Sequence, residues 1–230
     1  MANEDRSVIL GIQPQTSVLN FMSPLPQKAV CVARNYRAHA QELGNPIPDE
    51  PVFFLKPPSA ICPLEEPLVL PSWSNSVHHE IELAVLVKNR LSNASLEEVR
   101  AGLGPVAVAL DLTARDIQQK LKEKGLPWEK AKAFDRALPL GPWIEGLDLD
   151  QPITLELKIN GQTRQKGNTS QMIHSIFALA QEASRYFTLE PGDLLLTGTP
   201  EGVGPLAPGD QLELILADRW RYLTQVAHGR

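Results

Sequence analysis

The sequence predicts an α+β, β-rich fold: a sandwich or roll of short strands with a few peripheral helices, built as one domain. Three observations predict it. Short aliphatic runs between turn residues recur along most of the 230 residues. Residues 46–71 hold eight prolines, at 46, 48, 51, 57, 58, 63, 67 and 71, which forbid long helices and central strands there. Only four segments carry helix signals.

In chain order, residues 1–27 read as a lead-in packed on the main domain, with one short strand at Ser7–Ile12. Residues 28–230 form the single domain. It starts with a strand at Lys28–Val32 and a helix over Asn35–Leu43, which Asn35 can cap and Gly44 can end. After the proline-rich stretch, Val77–Val87 reads as one strand stopped by Lys88-Asn89-Arg90, and Gly104–Asp111 as another. Ser95–Ala101 is a helix with Ser95 as cap and Glu98 in the capping-box position. Thr113–Lys124 is helical up to Gly125. Ile153–Ile159 and Thr163–Lys166, joined by Asn160-Gly161, make a hairpin. Ser170–Tyr186 has amphipathic helix spacing. Pro191-Gly192-Asp193 and Pro208-Gly209-Asp210 are turns that each feed a strand.

Composition narrows the function classes. A net charge of −5 with no separate Lys/Arg cluster argues against a nucleic-acid partner. The longest apolar runs are too short for a bilayer, so no membrane partner is expected. Met1–Arg6 lacks the layout of a signal peptide. Cys31 and Cys62 read as buried free thiols of a reducing compartment. The expected location is cytoplasmic.

The chemistry concentrates in Val77–Val87. Alternation puts Glu80 and Glu82 on one face, which continues as Ala84 and Leu86, while the other face is Ile81, Leu83, Val85 and Val87. A strand apolar on both sides is buried, and two buried anions require a positive partner. The run 104–111 ends in a third acid, Asp111. Three acids without soft ligands suit Mg²⁺ or Mn²⁺, and His78 is read as a neighbour of the site. An exposed Glu-x-Glu pair has the same spacing; the apolar continuation and the third acid argue against it.

His39 and Glu42 stand three apart on a helix, the spacing of a carboxylate-oriented general base and equally of a surface pair. Arg115 and Gln118 can face Asp111 from the helix that follows it. Lys130 and Lys132 alternate with Ala131 and Ala133 and read by default as exposed. The glycine-rich turn Gly198–Gly204 lacks the lysine and helix of a phosphate loop, but offers N–H groups and the Thr199 hydroxyl to a small anion.

Taken in order, these motifs resemble the fumarylacetoacetate hydrolase family, in particular its small acylpyruvase and oxaloacetate-processing members. The likeness runs from about Val30 to the last strand. It rests on Arg34-Asn35-Tyr36 with His39 and Glu42, Phe54-Leu55-Lys56-Pro57, His79–Ala84, Leu110–Asp116, Gly125–Trp128 with Ala131-Lys132, Gly167–Thr169, and Leu196–Gly204. The resemblance implies the family's mixed β-roll as a homodimer. It implies Glu80, Glu82 and Asp111 as ligands of Mg²⁺ or Mn²⁺. His39 with Glu42 is implied as a water-activating dyad on a segment that orders when ligand binds. Lys132 is implied as catalytic, and Arg34, Arg115, Gln118 and Thr199 as substrate-binding. Two departures are Ala33, where many relatives carry Gly, and Pro58, where relatives often carry a small polar residue. The further carboxylate ligand of larger members has no counterpart here.

The expected activity is metal-dependent cleavage of the C–C bond of acylpyruvates through a pyruvate enolate. Decarboxylation or keto–enol tautomerisation of oxaloacetate passes through the same enolate. Hydration or isomerisation of a 2-oxo-diene acid is a further alternative, and a non-catalytic metal-binding protein is the alternative of another class. The expected partner is a small 2-oxoacid.

Overall fold

Aliphatic runs and their turns do become strands in the computed structural model, which describes residues 26–227 apart from 43 and 45. The lead-in strand expected at Ser7–Ile12 lies outside the described residues. The elements are β1 (Ala29–Ala33), α1 (Arg37–Glu42), β2 (Val52–Lys56), β3 (Ile61–Pro63), β4 (Val77–His79), β5 (Ile81–Val87), α2 (Leu96–Gly102), β6 (Leu103–Leu110), β7 (Thr113–Ala114), α3 (Arg115–Glu123), α4 (Glu129–Lys132), β8 (Leu138–Leu140), β9 (Thr154–Ile159), β10 (Gln162–Asn168), α5 (Ile176–Tyr186), β11 (Leu194–Leu196), β12 (Gly204–Pro205), β13 (Gln211–Leu216) and β14 (Trp220–Gln225).

Three sheets result. The largest is mixed, in the order β2-β1-β11-β5-β6-β8-β3, with β1–β11 and β3–β8 parallel. A four-stranded sheet, β10-β9-β13-β14, packs on it through β9 against β5 and β13 against β6. A small sheet, β12-β4-β7, sits where β5 begins and β6 ends. The core between the two larger sheets is aliphatic: Leu83, Val85, Val106, Val108, Leu155, Leu157, Leu212 and Leu214 are all essentially inaccessible. Such burial is the main favourable term for the fold. No described helix is long and apolar enough to cross a membrane.

Local chemistry explains the elements that match expectation. Ser95 caps α2 and Glu98 answers with the reciprocal bond of a capping box. Asn160 and Gly161 both take positive φ (52° and 78°), as a two-residue hairpin turn requires. Four expectations need correction. The 77–87 run is broken at Glu80, and its halves belong to different sheets. Thr113 and Ala114 form β7, so α3 begins at Arg115. The helix expected from Ser170 begins at Ile176, because Asn168 caps a separate 3₁₀ turn and Ser175 caps the helix. Asn35 does not cap α1; its amide donates to His174 O and Thr197 O, and its Oδ1 accepts from His174 N.

Candidate active site and metal centre

The register of one antiparallel pair gathers the acids. Ile81 opposes Leu110, Glu82 opposes Ala109, and just beyond the pair Asp111 N donates to Glu80 O at 2.8 Å. Glu80, Glu82 and Asp111 therefore converge at one end of β5–β6, with carboxylate oxygens within 4.8 Å of one another. All three carboxylates are buried.

Three cations meet them. Lys132 Nζ donates to Glu80 Oε2 at 2.8 Å and to Asp111 Oδ2 at 2.6 Å. Arg115 donates to Glu80 Oε1 and, at 2.7 Å, to Gln118 Oε1. Lys56 Nζ lies 2.8 Å from Asp111 Oδ1. That contact is an ion pair whose angles fall outside those of a hydrogen bond. Lys56 also donates to Lys132 O and Ala137 O, which fixes the turn that carries Lys132. The exposed-lysine reading of Lys132 is thus overturned. α4 is a helical turn and not an extended run, and its Lys132 is buried against two acids.

The electrostatics are uneven. Burial pushes the Glu80 carboxyl up, but Lys132 and Arg115 outweigh burial and hold it below the usual carboxylate range. Glu82 goes the other way. Burial, then Asp111 and Glu80, raise it well above that range; Lys132 and a 2.8 Å bond from Gly198 N oppose this only in part. Burial lowers Lys132, yet Asp111 and Glu80 reverse this and keep it protonated.

These donors suit a hard divalent ion. Every candidate ligand is a carboxylate oxygen, Asp111 Oδ1 is buried without a hydrogen bond, and Glu82 lacks a countercharge of its own. No histidine belongs to the cluster among the described residues; His78 Nε2 instead meets Ser76 Oγ at 3.1 Å.

The His39–Glu42 pair caps the cavity. His39 Nδ1 is 3.3 Å from Glu42 Oε2, so Nδ1 carries the hydrogen and Nε2 the lone pair. Burial lowers the His39 pKa below its ordinary value of 6.5, although Glu80 and Glu42 pull it upward. Glu42 also accepts from Gly202 N at 3.0 Å. The N–H groups of the glycine-rich turn therefore serve the protein's own carboxylates, Gly198 for Glu82 and Gly202 for Glu42. Arg34, at φ 60°, makes the left-handed turn between β1 and α1 and lines the cavity. Thr199 lines it too, but its hydroxyl donates to Ile81 O and accepts from Gln165 Nε2.

The cavity is lined by Arg34, His39, Phe54, the three acids, Arg115, Gln118, Lys122, Trp128, Lys132 and Thr199, among others. Every residue assigned to the site from the sequence lines this cavity except Glu42, which contacts His39. Its volume is about 30 Å³, more than a single water needs. Residue patterns gave no role to Lys56, Lys122 or Gln165. A lysine inside Phe53-Phe54-Leu55-Lys56-Pro57 was the one available signal; nothing local marks the other two.

The fumarylacetoacetate (FAA) hydrolase C-terminal family profile matches residues 28–226. The chain belongs to this family. It is 51% identical over 188 residues to oxaloacetate tautomerase YcgM of Escherichia coli, covering 80% of this chain and 86% of that one. It is 41% identical to the human mitochondrial oxaloacetate tautomerase FAHD1, covering 80% and 84%. The crystal structure of fumarylpyruvate hydrolase from Pseudomonas aeruginosa with Mn²⁺ and pyruvate superposes with a TM-score of 0.84 at 35% identity, covering 89% and 91%. The β-rich architecture of this chain is that of the family.

Proposed function

We propose that this family member is a Mg²⁺- or Mn²⁺-dependent enzyme of small 2-oxoacids and that it interconverts the keto and enol forms of oxaloacetate. The observation that carries the reading is the charge balance of the site. The three acids Glu80, Glu82 and Asp111 are equalled in number by Lys56, Lys132 and Arg115, although the ion pairs fall on Glu80 and Asp111 and none on Glu82. A divalent cation held by the three acids leaves the inner site at +2, the complement of a dicarboxylate 2-oxoacid. The identity to proteins named oxaloacetate tautomerase supports the same substrate.

When bound, the ion supplies Lewis acidity toward a 2-oxo group and its neighbouring carboxylate. The chain's residues supply the rest. Tautomerisation moves one proton from C3 to the 2-oxo oxygen and shifts the C2=O double bond to C2=C3. His39, kept neutral by burial and oriented by Glu42, takes the C3 proton on Nε2 and returns it to oxygen. The Lys132 ammonium and the Arg115 guanidinium stabilise the negative charge that develops between the two transfers. Glu42 ties α1, which carries His39, to the glycine-rich turn through Gly202 N. Assembly as a homodimer belongs to this proposal and is checked by light scattering.

The His39–Glu42 dyad also supports a second reading, hydrolysis of acylpyruvates, in which His39 deprotonates a water that attacks the distal carbonyl. Turnover of oxaloacetate and acetylpyruvate side by side, with and without EDTA, tests both. We expect metal-dependent loss of the oxaloacetate enol absorbance to exceed acetylpyruvate cleavage, and the reverse ranking would favour the hydrolase. His39→Ala should abolish cleavage of acetylpyruvate while sparing part of the metal-dependent decarboxylation of oxaloacetate. Equal loss of both would show that the dyad is not specific to water activation.

A further inference from the structure

Two cations at the cavity wall lack anions among the described residues. Arg115 and Lys132 each pair with a carboxylate. Arg34 and Lys122 also line the cavity, yet among the described residues neither has a carboxylate within ion-pair distance. They come from different elements: Arg34 from the left-handed turn after β1, Lys122 from the last turn of α3. Lys122 is half-buried, and its ammonium lies 5.6 Å from the centre of the Trp128 ring. Trp128 in turn packs on Phe54, whose ring lies 5.2 Å from Lys132 Nζ. One wall of the cavity thus runs from the buried Lys132 through two aromatic rings to Lys122. Burial, then repulsion from Arg115, Arg34 and Lys132, lowers the Lys122 pKa below the ordinary lysine value. Cations crowded together in the wall of a cavity signal an anion that arrives with the ligand.

We infer that Lys122, with Arg34, binds the distal carboxylate of a dicarboxylate 2-oxoacid and thereby selects dianionic substrates over monoanionic ones. The inference deepens the proposed function and rests on it for placing the 2-oxo end at the acid cluster. The aromatic wall excludes water from one side of Lys122, which strengthens its attraction for a carboxylate. A neutral acyl group in the same place would leave both cations unpaired.

The test compares wild type, Lys122→Met and Lys122→Arg on oxaloacetate and on its 4-methyl ester, which lacks only the distal charge. Lys122→Met should raise KM for oxaloacetate at least tenfold with kcat changed less than threefold. The loss of kcat/KM should be at least tenfold larger for oxaloacetate than for the ester, and Lys122→Arg should recover most of it. Equal losses on both substrates, or no loss, would overturn the inference. A second readout is independent of turnover: thermal shift with Mn²⁺ and either oxaloacetate or pyruvate. Wild type should be stabilised more by the dicarboxylate, and Lys122→Met should erase that difference. If neither substrate turns over but the Lys122-dependent dicarboxylate preference persists, the catalytic proposal fails and the binding inference stands. If the preference is missing in wild type, the binding inference fails whatever the turnover.

Discussion

Glu82 is the least compensated acid of the cluster, and its position decides how the site takes up metal. Its neighbours in the pairing register are aliphatic, it accepts a hydrogen bond from Gly198 N, and its nearest charges include Asp111 and Glu80. Burial and those two carboxylates raise its pKa, so the metal-free folded protein holds a proton on Glu82 at pH values where a free glutamate is ionised. For a carboxyl raised on folding, stability is fully present below the unfolded pKa and is lost as pH rises through the folded one. A divalent ion must expel that proton. Metal affinity should therefore strengthen by about tenfold per pH unit while Glu82 remains protonated, and level off above its folded pKa. Calorimetry of Mg²⁺ or Mn²⁺ binding in two buffers of different ionisation enthalpy should show close to one proton released per ion near the lower end of that range. Binding heats independent of buffer would show that Glu82 is already ionised. The acids themselves were legible in the sequence, because each ends or interrupts an aliphatic run. Lys132 was legible only through the family resemblance and not from its local pattern, because a lysine buries only when distant partners neutralise it, and Glu80 lies 52 residues away.

At the scale of elements, one amide joins three of them. Gln165 sits in β10 with its side chain buried. Its Oε1 accepts from Ile81 N at 3.0 Å and meets His79 Nδ1 at 2.9 Å. Its Nε2 donates to Thr199 Oγ1 and Pro200 O, both at 2.8 Å. The same side chain therefore fixes the β4–β5 break that carries Glu80 and the turn whose Gly198 N–H holds Glu82. Gln165→Leu keeps the volume but leaves these buried groups unpaired, at a cost of about 1–3 kcal/mol each for those that find no water. A fall in Tm of roughly 4–10 °C should follow. Metal affinity should also fall, because Glu80 and Glu82 lose their common support. A variant with unchanged metal affinity would confine Gln165 to a role in stability. Elements with self-contained signals, such as the α2 capping box and the Asn160-Gly161 turn, were readable from a few neighbouring residues. The break at Glu80, the start of α3 and the work of Asn35 were not. Each depends on hydrogen bonds to residues far along the chain, such as Asn35 to His174 and Thr197.

For the whole molecule the governing contrast is between net charge and local field. The chain carries −5 overall and should repel a dianion at long range. At the cavity wall the sign reverses, because Arg34 and Lys122 line the cavity with no carboxylate to offset them among the described residues. The two effects respond to salt in opposite directions. Screening weakens the long-range repulsion, which would raise kcat/KM, and weakens the local attraction, which would lower it. A dianion close to paired cations in a low-dielectric cleft feels the local field more strongly than diffuse charge spread over a surface. Raising NaCl from about 20 to 300 mM, which shortens the screening length from roughly 20 Å to about 6 Å, should thus lower kcat/KM for oxaloacetate by on the order of threefold. The 4-methyl ester, with one charge fewer, should lose less, and Lys122→Met should flatten the response to oxaloacetate. Rising kcat/KM with salt would mean that net charge governs the approach, and equal falls for the two substrates would mean that the wall does not read the second carboxylate.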